Sequence, residues 1–185
     1  MNPLYQAAQD VCGFMAGRGW SFCLIGGLAV VRWGEPRMTQ DVDLSLLTGL
    51  GSEEKFVDAL LDAFQPRLTT ARAFALENRV LLVRAANGMP LDIALAGFPF
   101  EERMMRRTSA FAFAPDCSLP TCSAEDLIVM KAFAGRIRDW QDIEMIHSRQ
   151  RNQLDWALIL AEFKPLAEVR NEPEAIRRLE IIAQT

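Results

Sequence analysis

Apolar residues recur at helical spacing over residues 4–18 (Leu4, Ala7, Ala8, Val11, Phe14, Met15), which predicts an amphipathic opening helix ended by Gly17 and Gly19. Phe22-Cys23-Leu24-Ile25 reads as a short buried strand, and Gly26-Gly27 leads at once into a second apolar helix over 28–32. After a polar turn with Gly34 and Pro36, Asp41-Val42-Asp43-Leu44-Ser45-Leu46 alternates with period two, as a half-buried strand does. Ser52-Glu53-Glu54 opens a helix to about Phe64, with acids in the first turn where the helix dipole favours them. The apolar runs 80–84 and 91–95 flank Ala86-Asn87-Gly88 and predict a hairpin, because Asn-Gly supplies positive φ. A helix over 98–107 and a strand over 111–114 come next. From Ala124 onward the pattern is helical, over 124–133, 139–149, 154–163 and 174–183.

The layout is α+β. A mixed sheet with flanking helices is expected in residues 1–115, with a C-terminal helical lobe over 116–185 packed on it. A length of 185 residues suits one domain with a small helical appendage. With 50% hydrophobic and 24% charged residues, the chain is no disordered polymer. The formal charge of −4 excludes a globally basic protein, so an RNA partner needs a local patch. Arg103, Arg106 and Arg107 on one predicted helix, together with Arg136 and Arg138, are the candidates. No basic-then-apolar leader opens the chain, and residues 22–31 are too short and glycine-broken to span a bilayer. A cytoplasmic location without membrane contact is the expectation.

Cys12, Cys23, Cys117 and Cys122 form no CxxC pair, and His147 is the single histidine. Four reduced cysteines are expected rather than a zinc site. A Ser-His or Cys-His nucleophile would have to run through His147, which reads as a solvated residue on an exposed helix end. Neither GxSxG nor GxxxxGK[ST] occurs, so hydrolysis by that route is not expected.

The chemistry concentrates in carboxylates. Asp41 and Asp43 stand at i and i+2 on a strand and project to one face, while Val42 and Leu44 project into the core. Like charges this close repel unless solvated or bridged by a cation. Asp92, within Pro90-Leu91-Asp92-Ile93-Ala94, is a third acid inside an apolar run. If the two strands are neighbours, all three converge, and hard oxygen ligands suit magnesium or manganese. Taken alone, a DxD is more often a half-exposed surface strand than a metal site, and a Gly-Gly more often a turn than a phosphate cradle. Their order ties them together: strand, Gly-Gly, helix, DVDL, then LDI. Glycines at a helix start also let backbone N–H groups approach an anion.

Gly26-Gly27, Asp41-Val42-Asp43 and Asp92 together resemble the signature of the DNA polymerase β-like nucleotidyltransferase superfamily. Within it, Ile25-Gly26-Gly27-Leu28-Ala29 through Arg37-Met38-Thr39-Gln40-Asp41-Val42-Asp43-Leu44 resembles the AbiEii-type abortive-infection toxin branch. The block from Lys131 through Arg136-Ile137-Arg138-Asp139-Trp140-Gln141-Asp142-Ile143 is similar to that branch's helical motif, and the resemblance runs over roughly 20–150. It implies a nucleotidyltransferase fold that moves an NMP from an NTP, ATP among the candidates, to a hydroxyl of RNA or protein. It assigns Asp41 and Asp43 to two Mg²⁺ or Mn²⁺ ions, with Asp92 completing the one that activates the acceptor. Gly26, Gly27 and Lys131 would take the β- and γ-phosphates, Arg37 and Thr39 would order the site, and Asp142 would position Lys131 or the nucleotide. Asp139 reads as the N-cap of the next helix. A cognate antitoxin or toxin protein is the implied partner. The branch commonly carries a larger C-terminal region, so the acceptor site is expected to be reduced or supplied by that partner. The alternatives are a catalytically weak binding partner in a toxin–antitoxin pair and an antibiotic nucleotidyltransferase.

Overall fold

In a computed structural model, which describes residues 2–184, the strands are β1 (Phe22–Leu24), β2 (Val42–Leu47), β3 (Gln65–Pro66), β4 (Val80–Arg84), β5 (Pro90–Ala96), β6 (Ser109–Ala114) and β7 (Cys117–Thr121). They form one mixed sheet in the order β3-β4-β5-β2-β1-β7-β6. The helices are α1 (Pro3–Ala16), α2 (Gly26–Trp33), α3 (Glu54–Ala63), α4 (Ala71–Asn78), α5 (Pro99–Arg106), α6 (Ala124–Ala134), α7 (Ile137–Gln150), α8 (Trp156–Arg170) and α9 (Pro173–Ile182). The α+β class holds.

Two units divide the chain: residues up to Leu28 with Met38–Cys122, and Ala29–Arg37 with the chain from Ser123 onward. In the first, β2 lies centrally, parallel to β5 and antiparallel to β1. Alternation along β2 and β5 turns Val42, Leu44, Leu46, Leu91 and Ile93 to one face, where they are fully buried. Ala7, Ala8, Val11 and Met15 of α1 join that core, so the helical period of α1 meets the two-residue period of the sheet. The Asn2 side chain accepts the Leu4 N–H at 2.9 Å and Pro3 follows at the first helical position, which fixes where α1 begins. The hairpin between β4 and β5 closes through Gly88 at φ +82, longer than a two-residue turn because Ala85 N–H donates to the Met89 carbonyl.

Three elements are additional to those expected: β3, α4 and β7. Helix α4 buries only Ala71 and Ala75 and shows little amphipathic contrast. Strand β7 contains Pro120, which argues against a strand in sequence. Because β7 pairs with both β1 and β6, the sheet unit runs to Cys122, and the expected boundary at 115/116 falls inside the β6–β7 hairpin.

In the second unit, Ser123 caps α6 by accepting the Asp126 N–H, and Gly135 ends it in the left-handed conformation at φ +68. Helix α6 packs on α7 and α8, and α8 on α9. Arg149 donates to the Gly34 carbonyl and Gln150 to that of Trp33 at 2.7 Å, tying the 29–37 stretch to α7. Helix α8 continues through Pro165 to Arg170, well past the expected end at 163. His147 is half-buried with its ring 5.5 Å from that of Trp156, not solvated as expected, because α8 begins beside it. The four cysteines form no disulfide and are all buried. Among the described residues no helix is long and apolar enough to cross a membrane.

Candidate active site

The parallel register of β2 and β5 sets Asp43 directly opposite Asp92. Asp41 occupies the bend that enters β2, one residue outside the strand that the alternation predicted. One carboxylate oxygen from each of Asp41, Asp43 and Asp92 lies within 4.8 Å of the other two, and all three residues are half-buried. The convergence expected from the two sequence runs is therefore present.

Each carboxylate has its own holder. The Thr39 hydroxyl donates to Asp41 Oδ1 at 3.0 Å. The Gly27 N–H donates to Asp43 Oδ2 at 3.2 Å. Arg67 pairs with Asp92. The glycines make the first two contacts possible. Gly26 sits at φ +54, and a Cβ added there would stand 2.7 Å from the Asp43 Cβ and closer still to its carboxylate. A Cβ at Gly27 would come within 2.7 Å of the Thr39 Cβ. Glycine at both positions lets the start of α2 press against the residues that orient the acids.

The three donors are all carboxylate oxygens, on groups that repel one another. Such a set fits a hard divalent cation of the magnesium or manganese kind, and no soft ligand joins it. Arg67 was not anticipated. It is an isolated cation between Pro66 and Leu68, and only the pairing of two-residue β3 with β4 brings it to Asp92. Its own N–H donates to the Leu82 carbonyl at 3.1 Å, and Leu82 is the register neighbour of Asp92. No periodicity in the sequence marks it.

Arg37, Lys131, Asp139 and Asp142 form a separate cluster in the second unit. Lys131 Nζ meets Asp142 Oδ2 at 2.6 Å and Asp139 Oδ1 at 3.1 Å. Arg37 grips Asp142 with Nε and Nη2, both at 3.0 Å, in a two-pronged pair. The side chains of Lys131 and Asp142 are only 8% and 6% exposed. Asp139 and Asp142, three apart on α7, share the face turned to Lys131. Burial by itself would raise the Asp142 carboxyl, but the hydrogen bonds from Arg37 and Lys131 outweigh it and hold the group below its ordinary value. Asp139 is not the N-cap of α7. Arg136 takes that place, and Asp139, three residues on, accepts the Arg136 N–H at 3.3 Å. Arg136 and Arg138 are exposed, as are Arg103 and Arg106 of α5, while Arg107 caps that helix and is half-buried.

The profile of the family described as "Nucleotidyl transferase AbiEii toxin, Type IV TA system" matches residues 18–184. It runs past the end expected for the resemblance, near residue 150, so α8 and α9 fall within the match. The solved structure of the lincosamide antibiotic adenylyltransferase LnuA, lincomycin-bound, is similar with a TM-score of 0.53 and 14% identity, covering 77% of this chain and 96% of that one. The antibiotic-resistance factor ANT(2'')-Ia is similar with a TM-score of 0.54 and 13% identity, over 92% of this chain and 94% of that one. At such identities the likeness concerns the fold, which is that of nucleotidyltransferases. Among curated proteins none matches.

Proposed function

This chain belongs to the AbiEii nucleotidyl transferase toxin family and is a nucleotidyltransferase, and from that membership we propose that it moves an NMP from an NTP to a hydroxyl acceptor. The observation that carries the reading is the convergence of Asp41, Asp43 and Asp92 through the register of β2 and β5. These three residues would hold Mg²⁺ or Mn²⁺. When bound, such ions neutralise charge on the attacking and leaving oxygens of an in-line displacement at the α-phosphate, with pyrophosphate released.

The chain's own groups divide the remaining work. Asp41 and Asp43 present oxygens whose directions are set by Thr39 and by the Gly27 N–H. Asp92 accepts the proton of the acceptor hydroxyl. Gly26 and Gly27 open α2, and backbone N–H groups at that helix start favour the β- and γ-phosphates. Lys131 spends two of its three N–H donors on Asp139 and Asp142, and Arg37 on Asp142 fixes that group in place within the second unit. No step needs the imidazole of His147, which rests against Trp156.

The acceptor is a hydroxyl of RNA or of a protein, the site of action is the cytoplasm, and the partner is a cognate antitoxin. A donor on each of the three carboxylates supports a working site over a catalytically weak one. The test is incubation of the chain with each labelled NTP, MgCl₂ or MnCl₂, and total cellular RNA or protein. A labelled macromolecule with matching pyrophosphate release is expected; no transfer from any NTP with either metal would overturn the reading.

A further inference from the structure

The two edges of the sheet are unlike. At one end lies β3, only two residues long and ending in Pro66, which guards that edge against pairing with another chain. At the other lies β6, Ser109-Ala110-Phe111-Ala112-Phe113-Ala114, with neither charge nor proline to guard it. Pro120 decides which backbone groups of β6 face outward. It has no N–H and stands opposite Ala110, so the hydrogen-bonded pairs with β7 are Ser109–Thr121 and Phe111–Leu119. The Cys122 N–H donates to the Leu24 carbonyl at 3.1 Å, so alternate residues of β7 turn to β1 and leave Thr121 and Leu119 to β6. The N–H and C=O of Ala110 and Ala112 therefore point away from the sheet, and both residues are exposed.

We infer that a second copy of this chain covers this edge, by antiparallel pairing of β6 with its twofold mate. Only outward-facing residues can exchange backbone bonds across the axis. The register that uses both sets Ala110 of one copy opposite Ala112 of the other, with Phe111 opposite Phe111. It also carries the entry of one strand to the exit of the other. Arg106 ends α5 just before β6, and Asp116 lies in the turn just after it. Both are exposed, and among the described residues neither side chain makes an ion pair. The pairing brings Arg106 of each copy to Asp116 of the other, so opposite charges meet at both ends of the seam. Phe111 stands edge-on to Phe113 with ring centres 4.9 Å apart, and Phe113 lies 5.5 Å from Tyr5. The central Phe111 pair thus joins two aromatic rows across the axis.

The test is sedimentation of the full chain over a range of concentrations, with amide hydrogen exchange followed by NMR on the same samples. The native chain is expected to reach twice the chain mass, and exchange at Ala110 and Ala112 to slow as concentration rises. Asp116→Arg places like charges together at both ends of the seam and should raise the dissociation constant about tenfold; adding Arg106→Asp to that chain should restore it. Ala112→Pro removes an outward N–H that β7 does not use and should leave a folded monomer. A native chain that stays monomeric at every concentration overturns the proposal. So does a dimer whose Ala110 and Ala112 amides exchange as fast as in the monomer, since another surface then makes it. Should Ala112→Pro fail to fold, the charge reversal and its rescue decide the matter: a dimer indifferent to Asp116→Arg refutes the pairing.

Discussion

Asp43 and Asp92 face each other across two adjacent parallel strands, and with Asp41 they crowd three carboxylate oxygens within 4.8 Å of one another. Such crowding works against stability, since like charges this close repel. Asp43→Asn keeps an oxygen for the Gly27 N–H while removing the charge. Its kcat for NMP transfer should fall by about 10²-fold or more. Its melting midpoint should hold or rise, since a repulsion is relieved. Pyrophosphate release and a thermal melt on the same sample check both halves.

Gly26→Ala should be the costlier of the two glycine substitutions. It forces a side chain into the left-handed region and into the Asp43 side chain, for about 1–3 kcal/mol of lost stability by urea denaturation. Gly27→Ala keeps ordinary backbone angles and instead pushes on Thr39. Its mark should be on the site: loss of the Thr39–Asp41 hydrogen bond and weaker Mn²⁺ binding in the presence of NTP.

Asp142→Ala removes the carboxylate that Arg37 grips and leaves Lys131 to Asp139 alone in a largely buried cluster, and should cost about 3–5 kcal/mol. Arg177→Ala, which removes an exposed pair with Glu174, should stay within about 0.5 kcal/mol in the same urea titration. The pair also sets an acid limit. A carboxyl held below its ordinary value in the folded state stabilises fully above its unfolded value, and that contribution is lost as pH falls through the folded one. Stability of the native chain should therefore drop in the acid range, and Asp142→Asn should flatten that part of the profile.

If RNA is the acceptor, the chain must hold it through a local basic surface despite a net charge of −4. Phosphate contacts release counterions, so transfer to RNA should fall steeply with salt. Arg103→Glu on α5 with Arg107→Glu at its C-cap should raise KM for RNA and leave NTP binding unchanged. Activity indifferent to salt and to this double reversal points to a protein acceptor.

The chemistry of the first unit was legible because it rests on short-range rules. Residues i and i+2 on a strand share a face, which pointed Asp41 and Asp43 the same way even though Asp41 lies in the bend just before β2; strand pairing then added Asp92. Arg67 was illegible for the opposite reason. Its contact exists only because a two-residue edge strand lies beside β4, and two residues carry no pattern. Strand β7 was hidden by Pro120, and α4 by the smallness of Ala71 and Ala75, whose burial leaves little hydrophobic contrast. In the second unit the spacing of Asp139 and Asp142 was visible, but the two-pronged grip of Arg37 on Asp142 joins positions far apart in the chain and leaves no local trace.

The buried thiols give the protein an internal clock. All four cysteines are enclosed, and all belong to the sheet-bearing unit. Burial, with smaller contributions from Cys117 and Cys23, pushes the Cys12 thiol up to about 12, so almost none of it is thiolate near neutral pH. A maleimide or disulfide reagent then has nothing to attack until the sheet unit opens, and the labelling rate in native buffer measures the frequency of that opening. The helical unit carries no cysteine and stays silent, so one reagent times one half of the molecule without any engineered label.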